Sequence, residues 1–306
     1  MTIAICTLNR AESLRRTLDS LAAMRVPKDL DWEVVVVNNN CADHTDAVIA
    51  GFATRLPIRR EFEAQRGLSR ARNRAIEAAR GDYIVWTDDD VVVDPGWLAA
   101  YAEAFQRWPE AAVFAGPIVP RYAPPVPKWI AESAAILGPT VFAGCNLGDQ
   151  ALPLSIAEGR MPYGPNFAFR SVEQRRFRYD PDLGHGPTQR RRGEEVDVIE
   201  RAMQAGATGY WVPRARLEHC SDAGQQTIRY VARYFAIAGE TDAYLLGHGG
   251  APLWFGAPRW QWRRLIEGWV GYHVHRLISP APVWVKHFKD YNNARGAIRY
   301  WHSQRR

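Results

Sequence analysis

The first hundred residues alternate between short apolar runs and stretches in which apolar positions recur with a helical repeat. "TIAIC", "WEVVVV" and "YIVWT" are almost continuously apolar, which is typical of strands buried on both faces of a sheet. Leucines three or four positions apart follow the first run and form one face of a helix. This alternation predicts an α/β fold built around a parallel sheet.

Capping residues predict where the helices begin. Three residues are predicted to cap the N termini of successive helices: Asn9, Ser69 and Asp94. The proline-rich stretch 116–139 is interpreted as a connector, since prolines interrupt regular structure. Residues 223–306 have a helical, amphipathic pattern.

Polar residues gather directly after three of the predicted strands. They are Thr7 to Arg10, Asn38 to Asn40, and Asp88 to Asp90. In an open α/β sheet, ligands bind outside the carboxyl ends of the strands. The sequence therefore predicts a ligand site at this edge of the sheet.

The aspartate triplet of "WTDDDVVVD" predicts a divalent cation. Adjacent carboxylates repel one another unless a positive charge lies among them, and hard cations share oxygen ligands with substrate phosphates. The alternative is that aspartates simply favour the turn after a strand. The chain has no P-loop, no dinucleotide fingerprint, no HExxH and no GxSxG, which disfavours hydride transfer and serine hydrolysis.

Three further candidates are ambiguous from their local pattern. Glu194 and Glu195 fit the first turn of a helix, where the helix dipole favours acids, but that position would also hold a general base rigidly. His219 follows the predicted strand "GYWVP" and is either a structural residue or an additional metal ligand.

Charge is distributed unevenly. Residues 223–306 hold twelve Lys and Arg against four Asp and Glu, a net of +8, so of the total of +6 the first 222 residues carry −2. Six of the twelve tryptophans also lie in this tail, a combination that suits an anionic membrane surface. Nucleic acid would attract the same charges, but we expect no nucleic-acid partner. We see no secretory signal and no zinc spacing among the four cysteines, so we expect a cytoplasmic protein with reduced thiols.

The ordered motifs resemble the inverting, nucleotide-sugar-dependent glycosyltransferases of family 2. "TLNRAESLRRTLDSL" resembles the family's opening strand, nucleotide loop and first helix, and "GLSRARNRAIEAARGDYIVWTDDD" resembles the stretch that ends in the DxD motif. "GPNFAFR" and "GEEVDVIERAMQAG" resemble the acceptor-side segment and the ED motif, with a late histidine following. The resemblance covers Thr2 to Cys220. It implies the GT-A fold, a Rossmann-like open mixed sheet with flanking helices, here with a helical C-terminal extension.

The resemblance also implies a role for each candidate residue. The donor-binding residues would be Thr7, Asn9, Arg10, Asn38, Arg72, Asp88 and Asp89. The ligands of Mn²⁺ or Mg²⁺ would be Asp88, Asp90 and His219. Glu195 stands at the position of the catalytic acid, but it is one methylene longer than the usual Asp, so the base is either Glu195 or Glu194. Asn38 replaces the acid that commonly contacts uracil, which leaves the base of the donor open although a UDP-sugar is favoured.

The function implied is a single displacement with inversion of configuration at the anomeric carbon. The acceptor would be a hydroxyl of a glycan or lipid-linked acceptor in cell-surface polysaccharide synthesis, at the inner face of the membrane. The implied domains are a nucleotide-sugar-binding half (1–115), an acceptor-binding half (116–222) and a basic, Trp-rich extension (223–306). Two alternatives stay open at this point: a nucleotidyltransferase or phosphatase that uses the same aspartates, and a non-catalytic carbohydrate-binding protein.

Overall fold

The apolar runs near the N terminus form the centre of a seven-stranded mixed sheet. In a computed structural model, residues 1–184, 186 and 191–304 are described, and the counts below refer to these residues. The strands are β1 Thr2–Thr7, β2 Glu33–Asn38, β3 Ile58–Phe62, β4 Tyr83–Thr87, β5 Val91–Val93, β6 Val113–Ala115, β7 Ile118–Tyr122, β8 Phe167–Arg170, β9 Gly209–Trp211, β10 Leu217–Ser221, β11 Leu253–Trp254 and β12 Ala257–Pro258. The helices are α1 Ala11–Ala22, α2 Thr45–Gly51, α3 Leu68–Ala78, α4 Trp97–Arg107, α5 Lys128–Glu132, α6 Ala134–Leu137, α7 Ser171–Arg176, α8 Glu194–Gln204, α9 Ile228–Leu246, α10 Arg259–Ile278 and α11 Ala281–Ser303.

The order of the large sheet is β3-β2-β1-β4-β8-β6-β9. The first four of these strands are parallel, whereas β8 runs antiparallel to both β4 and β6. The strand β9 is parallel to β6 at the far edge. The predicted α/β class with an open mixed sheet and flanking helices is confirmed.

The sheet core consists of the residues that the apolar pattern predicted. Ile3, Ile5 and Val34 to Val37 are fully buried, as expected for strands covered on both faces. The strand β3 was missed because its sequence, "IRREF", is mostly charged and it lies at the edge of the sheet. An edge strand needs fewer apolar side chains, so its pattern is weaker.

Three predicted helix caps are wrong. The helix α4 begins at Trp97 with Gly96 as its cap, so Asp94 lies outside it. Asn9 lies before the start of α1, with a left-handed φ of 54°, and its side-chain oxygen accepts a hydrogen bond from the amide of Ala42 at 2.6 Å. The first amide of α1, at Ala11, instead donates to the carboxylate of Asp43 at 3.0 Å. Ser69 lies inside α3, and its hydroxyl donates to the carbonyl of Leu183 at 2.7 Å. Capping groups supplied from other segments cannot be read from local sequence.

A second, three-stranded sheet has the order β5-β10-β7. Its strand β5 directly follows the aspartate triplet, and β10 pairs with β5 in antiparallel register. The stretch 116–139, interpreted as a connector, contains β7, α5 and α6. It therefore has regular structure despite its prolines.

The chain divides into two compact units. Within the described residues the first unit comprises 1–121, 143–184 and 193–220, and the second comprises 122–142, 191–192 and 221–304. The predicted division at 115 and 222 is a division by binding role, and it stays a prediction.

The second unit has its own core around α9, α10 and α11. Phe235, Tyr272, Trp284 and Phe288 are buried in this core together with side chains of α5 and α6. Among the described residues, no helix combines the length and the apolar character that crossing a bilayer requires.

Candidate active site

The three aspartates lie between β4 and β5, at the carboxyl end of a central strand. Asp89 is 3% exposed and accepts a hydrogen bond from the hydroxyl of Thr7 at 2.6 Å. The guanidinium of Arg10 bridges two aspartates: it lies 3.1 Å from Asp89 and 2.8 Å from Asp90. Thr7 and Arg10 thus join the triplet, as their positions after β1 predicted.

The pKa values of Asp89 and Asp90 are shifted in opposite directions. Burial raises the pKa of Asp89 to about 7, because the attraction of Arg10 does not offset the loss of water. Burial acts on Asp90 as well, but the imidazole of His219 and the guanidinium of Arg10 outweigh it and hold the pKa of Asp90 well below its usual range. Asp90 is therefore the carboxylate most firmly held in its charged form.

His219 reaches the triplet because β10 pairs with β5. In this register His219 lies opposite Val91, the residue that follows the triplet. The backbone amide of Cys220 donates to the carbonyl of Asp90 at 2.8 Å, and Nε2 of His219 lies 3.3 Å from Oδ1 of Asp90. The pairing of two strands that are distant in sequence thus brings the histidine to the acids.

Asp88, Asp90 and His219 offer one ligand atom each within 4.8 Å of one another. Their chemistry fits a divalent cation, since two carboxylates and an imidazole are ligands that Mn²⁺ or Mg²⁺ accepts when phosphate oxygens and water complete the shell. The buried atom Oδ1 of Asp90 also lacks a hydrogen bond of good geometry within the described part of the chain. A buried carboxylate oxygen in that state is suited to a cation.

Arg72 on α3 connects the triplet to the second acidic pair. Its side chain is 5% exposed, and its guanidinium lies 3.1 Å from Glu194, 3.8 Å from Glu195 and 3.7 Å from Asp88. Three carboxylates around one arginine leave the cluster negatively charged. A second positive charge close to Asp88 would balance the excess, which is consistent with a metal at the adjacent site.

Glu194 and Glu195 form the first turn of α8, which begins after Gly193 in a left-handed conformation with φ of 81°. The two acids differ in their surroundings. Glu194 is 5% exposed and pairs directly with Arg72. Glu195 is less buried, and its Oε1 accepts a hydrogen bond from the backbone amide of Gly164 at 3.0 Å. Its position is therefore fixed by the "GPNFAFR" segment.

The side chains of Asn9 and Asn38 form their hydrogen bonds with residues 41, 42 and 46, which follow β2. The side chain of Asn38 is buried, donates to Asp46 at 2.6 Å and accepts from the amide of Cys41 at 2.7 Å. Asn9 bonds to Ala42, as described above. Both asparagines lie at the ends of β1 and β2, and their predicted contact with the donor base stays a prediction.

Sequence reasoning missed two groups at this site. The ring of Tyr179 is 1% exposed and lies 5.3 Å beneath the guanidinium of Arg72. The amide of Gly164 holds Glu195. A backbone amide carries no sequence signal, and Tyr179 lies in "RRFRYDPDLG", where no pattern marks it. Five of the ten residues of the basic loop "LGHGPTQRRR", interpreted as a mobile cover of the site, lie outside the described residues.

Comparison with known proteins identifies the fold and the class of enzyme. The family described as Glycosyl transferase family 2 matches residues 2–143. The chain is a glycosyltransferase that is similar to this family over those residues. A succinoglycan biosynthesis protein, ExoM of Rhizobium meliloti (strain 1021), is 28% identical over 264 residues, which is 82% of this chain and 78% of that protein.

Two solved structures share the fold of this glycosyltransferase. The mannosyltransferase PcManGT from Pyrobaculum calidifontis, in complex with GDP-Man and Mn²⁺, aligns with a TM-score of 0.59 at 17% identity and covers 98% of this chain and 86% of its own. TarS 1–349 of S. aureus aligns with a TM-score of 0.56 at 13% identity over 97% and 90% of the two chains. The GT-A fold is thus confirmed. The similarity to glycosyltransferases also argues against the nucleotidyltransferase, phosphatase and non-catalytic alternatives.

Proposed function

We propose that this enzyme is an inverting, metal-dependent glycosyltransferase that moves a sugar from a nucleoside diphosphate sugar to a hydroxyl group of a glycan or lipid-linked acceptor. The observation that supports this most directly is the convergence of Asp88, Asp90 and His219 beside an arginine that contacts Glu194 and Glu195. A cation site next to a carboxylate base suits the departure of a diphosphate and the attack of a hydroxyl.

Asp88, Asp90 and His219 would hold Mn²⁺ or Mg²⁺, which when bound neutralises charge on the diphosphate. Mn²⁺ is present in PcManGT, one of the structures similar to this chain. Arg10 and Thr7 hold Asp89 and Asp90 from the side of β1, so we assign them the positioning of these two acids. Thr7 and Arg10 can also contact the donor while they position these acids, since both residues lie at the carboxyl end of β1, at the edge of the sheet where ligands bind.

Glu195 is the proposed general base. Its carboxylate removes the proton from the acceptor hydroxyl while that oxygen forms a bond to the anomeric carbon, and the bond from this carbon to the diphosphate oxygen breaks with its electron pair on the leaving group. Attack from the face opposite the leaving group inverts the configuration. Glu194 is the weaker candidate because it lies 3.1 Å from Arg72 and is engaged as that arginine's counter-ion.

The proposed donor is a UDP-sugar, which follows from the resemblance of the N-terminal motifs. TarS has been solved with UDP-GlcNAc and PcManGT with GDP-Man, so the fold itself accommodates either base. The proposed pathway is polysaccharide synthesis, by analogy with the succinoglycan protein and with a poly-β-1,6-N-acetyl-D-glucosamine synthase that is 26% identical over 109 residues. The proposed place of action is the cytoplasmic face of a membrane, where a lipid-linked acceptor is available.

Calorimetric titration with UDP, GDP and TDP, each with and without Mn²⁺, tests the donor site. We expect one nucleotide to bind in a Mn²⁺-dependent manner and this binding to be lost in Asp90→Ala. Asp82→Ala is the matched control, because Asp82 is exposed and precedes β4 whereas the triplet follows it. If none of the nucleotides binds, or if Asp90→Ala binds as the unsubstituted protein does, the proposed donor site is wrong.

A further inference from the structure

The helix α10 has apolar residues on two opposite faces. Its inner face packs against α11: Gly268 and Tyr272 are buried, and a Cβ on Gly268 would lie 2.6 Å from the backbone nitrogen of Tyr291. The opposite side is formed by Ile266, Trp269, Val270, Val274 and Leu277, which we call the α10 outer face. Helical spacing places these five residues along one side of the helix.

The α10 outer face is exposed along its whole length. Leu277 is 86% exposed and Ile266 is 61% exposed, and the other three are close to half exposed. Apolar side chains continue beyond both ends, with Ile278 at 74% and Phe255 at 80%. Single exposed apolar residues are ordinary, but a contiguous row of this kind marks an interaction surface.

Basic residues accompany this apolar row. α10 contains four arginines and one glutamate. Arg259 and Arg263 are exposed, and helical spacing places them in line with the outer face, whereas the guanidinium of Arg276 lies against the buried ring of Tyr272. The glutamate, Glu267, lies 3.5 Å from Arg263, so its charge is partly neutralised. The guanidinium of Arg259 also lies 4.5 Å from the ring of exposed Trp254. Tryptophan and arginine side by side suit the headgroup layer, where the ring meets the apolar boundary and the cation meets phosphate.

We propose that the α10 outer face lies on the surface of an anionic phospholipid bilayer. The helix would lie parallel to the bilayer, with its five apolar residues at the acyl boundary and its arginines among the phosphates. This inference rests on the proposed function for its biological meaning, since a lipid-linked acceptor, one of the two acceptor classes of that function, lies at a membrane.

Charge favours a bilayer over a second copy of this chain as the occupant. A symmetric dimer through this face would bring Arg259 and Arg263 of both copies into one interface, and Glu267 is the one acid of α10 that would oppose them. Like charges across an interface oppose association. An anionic bilayer gains from the same arginines, each strengthening binding by about fivefold near the surface.

Co-sedimentation of the full chain with vesicles tests the proposal without any measurement of sugar transfer. The vesicles contain phosphatidylglycerol in phosphatidylcholine, and pure phosphatidylcholine vesicles serve as comparison. We expect binding only to the anionic vesicles, and we expect the double variant Ile266→Ser, Leu277→Ser to partition at least about tenfold more weakly. Val172→Ser is the matched control, because Val172 on α7 is 71% exposed and lies in the first unit; it should bind as the unsubstituted protein does.

A second variant, Arg259→Gln with Arg263→Gln, leaves the apolar row intact and should also weaken anionic binding, by about twentyfold if each arginine contributes fully. The proposal is overturned if the unsubstituted chain fails to bind anionic vesicles or if both variants bind normally. It is also overturned if the chain is a dimer in solution that the serine variant converts to a monomer without changing vesicle binding. Nucleotide binding is unaffected by any of these outcomes, so failure of the membrane proposal is distinguishable from failure of the proposed function.

Discussion

Replacing Glu195 by glutamine separates a catalytic role for this side chain from a structural one. The amide of Gln has nearly the shape of the carboxylate, and its oxygen still accepts the hydrogen bond that the backbone of Gly164 donates at 3.0 Å. Arg72 keeps its closer partner, Glu194, at 3.1 Å. The change thus removes the base and leaves its main contacts in place.

The expected loss follows from these distances. A positioned general base contributes about 10²–10⁴ in rate, so kcat should fall by that factor, or about 3–5 kcal/mol in the activation free energy. Stability should change by about 1 kcal/mol or less, because the pair lost with Arg72 spans 3.8 Å. Glu194→Gln should show the reverse: it weakens the closest counter-ion of a buried guanidinium, at a cost of about 1–3 kcal/mol in the free energy of unfolding.

The assay follows transfer of label from a radiolabelled UDP-sugar to a membrane lipid fraction, using the sugar and the fraction that support transfer by the unsubstituted protein. Urea unfolding gives the stability of each variant, and titration with UDP and Mn²⁺ gives donor binding. For Glu195→Gln we expect normal unfolding and normal UDP binding with loss of transfer. Full transfer activity in Glu195→Gln would refute its assignment as the base, and a selective loss in Glu194→Gln without destabilisation would assign that role to Glu194.

Three further predictions concern positions that are not assigned a role in the reaction. Asn166→Leu should lower the free energy of unfolding by about 3 kcal/mol or more in urea, because the buried amide makes four hydrogen bonds whose partners would be left unsatisfied. Gly239→Ala should destabilise the second unit by about 1–3 kcal/mol in thermal unfolding, since a Cβ there would lie 1.9 Å from the carbonyl oxygen of Asn293. Gly51→Ala is the control and should be neutral or stabilising, because a Cβ at Gly51 would have no atom within 4 Å. Burial raises the pKa of the Cys145 thiol to about 11. Iodoacetamide should therefore label this thiol slowly at pH 8 and faster as the pH approaches 11. In urea the pKa returns to about 8.5, so labelling at pH 8 should become rapid.

Each of these has an outcome that contradicts it. Unchanged unfolding of Asn166→Leu would mean that its four partners find water. Equal effects of the Gly239 and Gly51 substitutions would show that the close approach of α9 and α11 is not tight. Rapid labelling of Cys145 in the native protein at pH 8 would show that its thiol is accessible and ionised.

Local pattern was sufficient for the central strands and for the edge at which ligands bind. Continuous apolar runs predict strands buried on both faces, and the polar residues that follow them must meet where parallel strands end. Thr7, Arg10 and the aspartates are joined in the structure for that reason. The local pattern did not predict the edge strand β3 or the residues at which the helices begin. A half-exposed strand and a capping group from a distant segment leave no local pattern.

The sequence by itself determined which side chains gather at the edge of the sheet, because the hydrophobic periodicity and the residues that directly follow each apolar run are local properties. Only the tertiary structure decided which of these side chains contact one another, and hence which role each is assigned. It directs Asp89 to Thr7 and Arg10, and brings Asp88 and Asp90 together with His219 through the pairing of β10 with β5. It also separates Glu194, paired with Arg72, from Glu195, held by a backbone amide. These assignments depend on contacts between residues far apart in the chain, and such contacts are fixed by packing and strand register, which no local window of sequence contains.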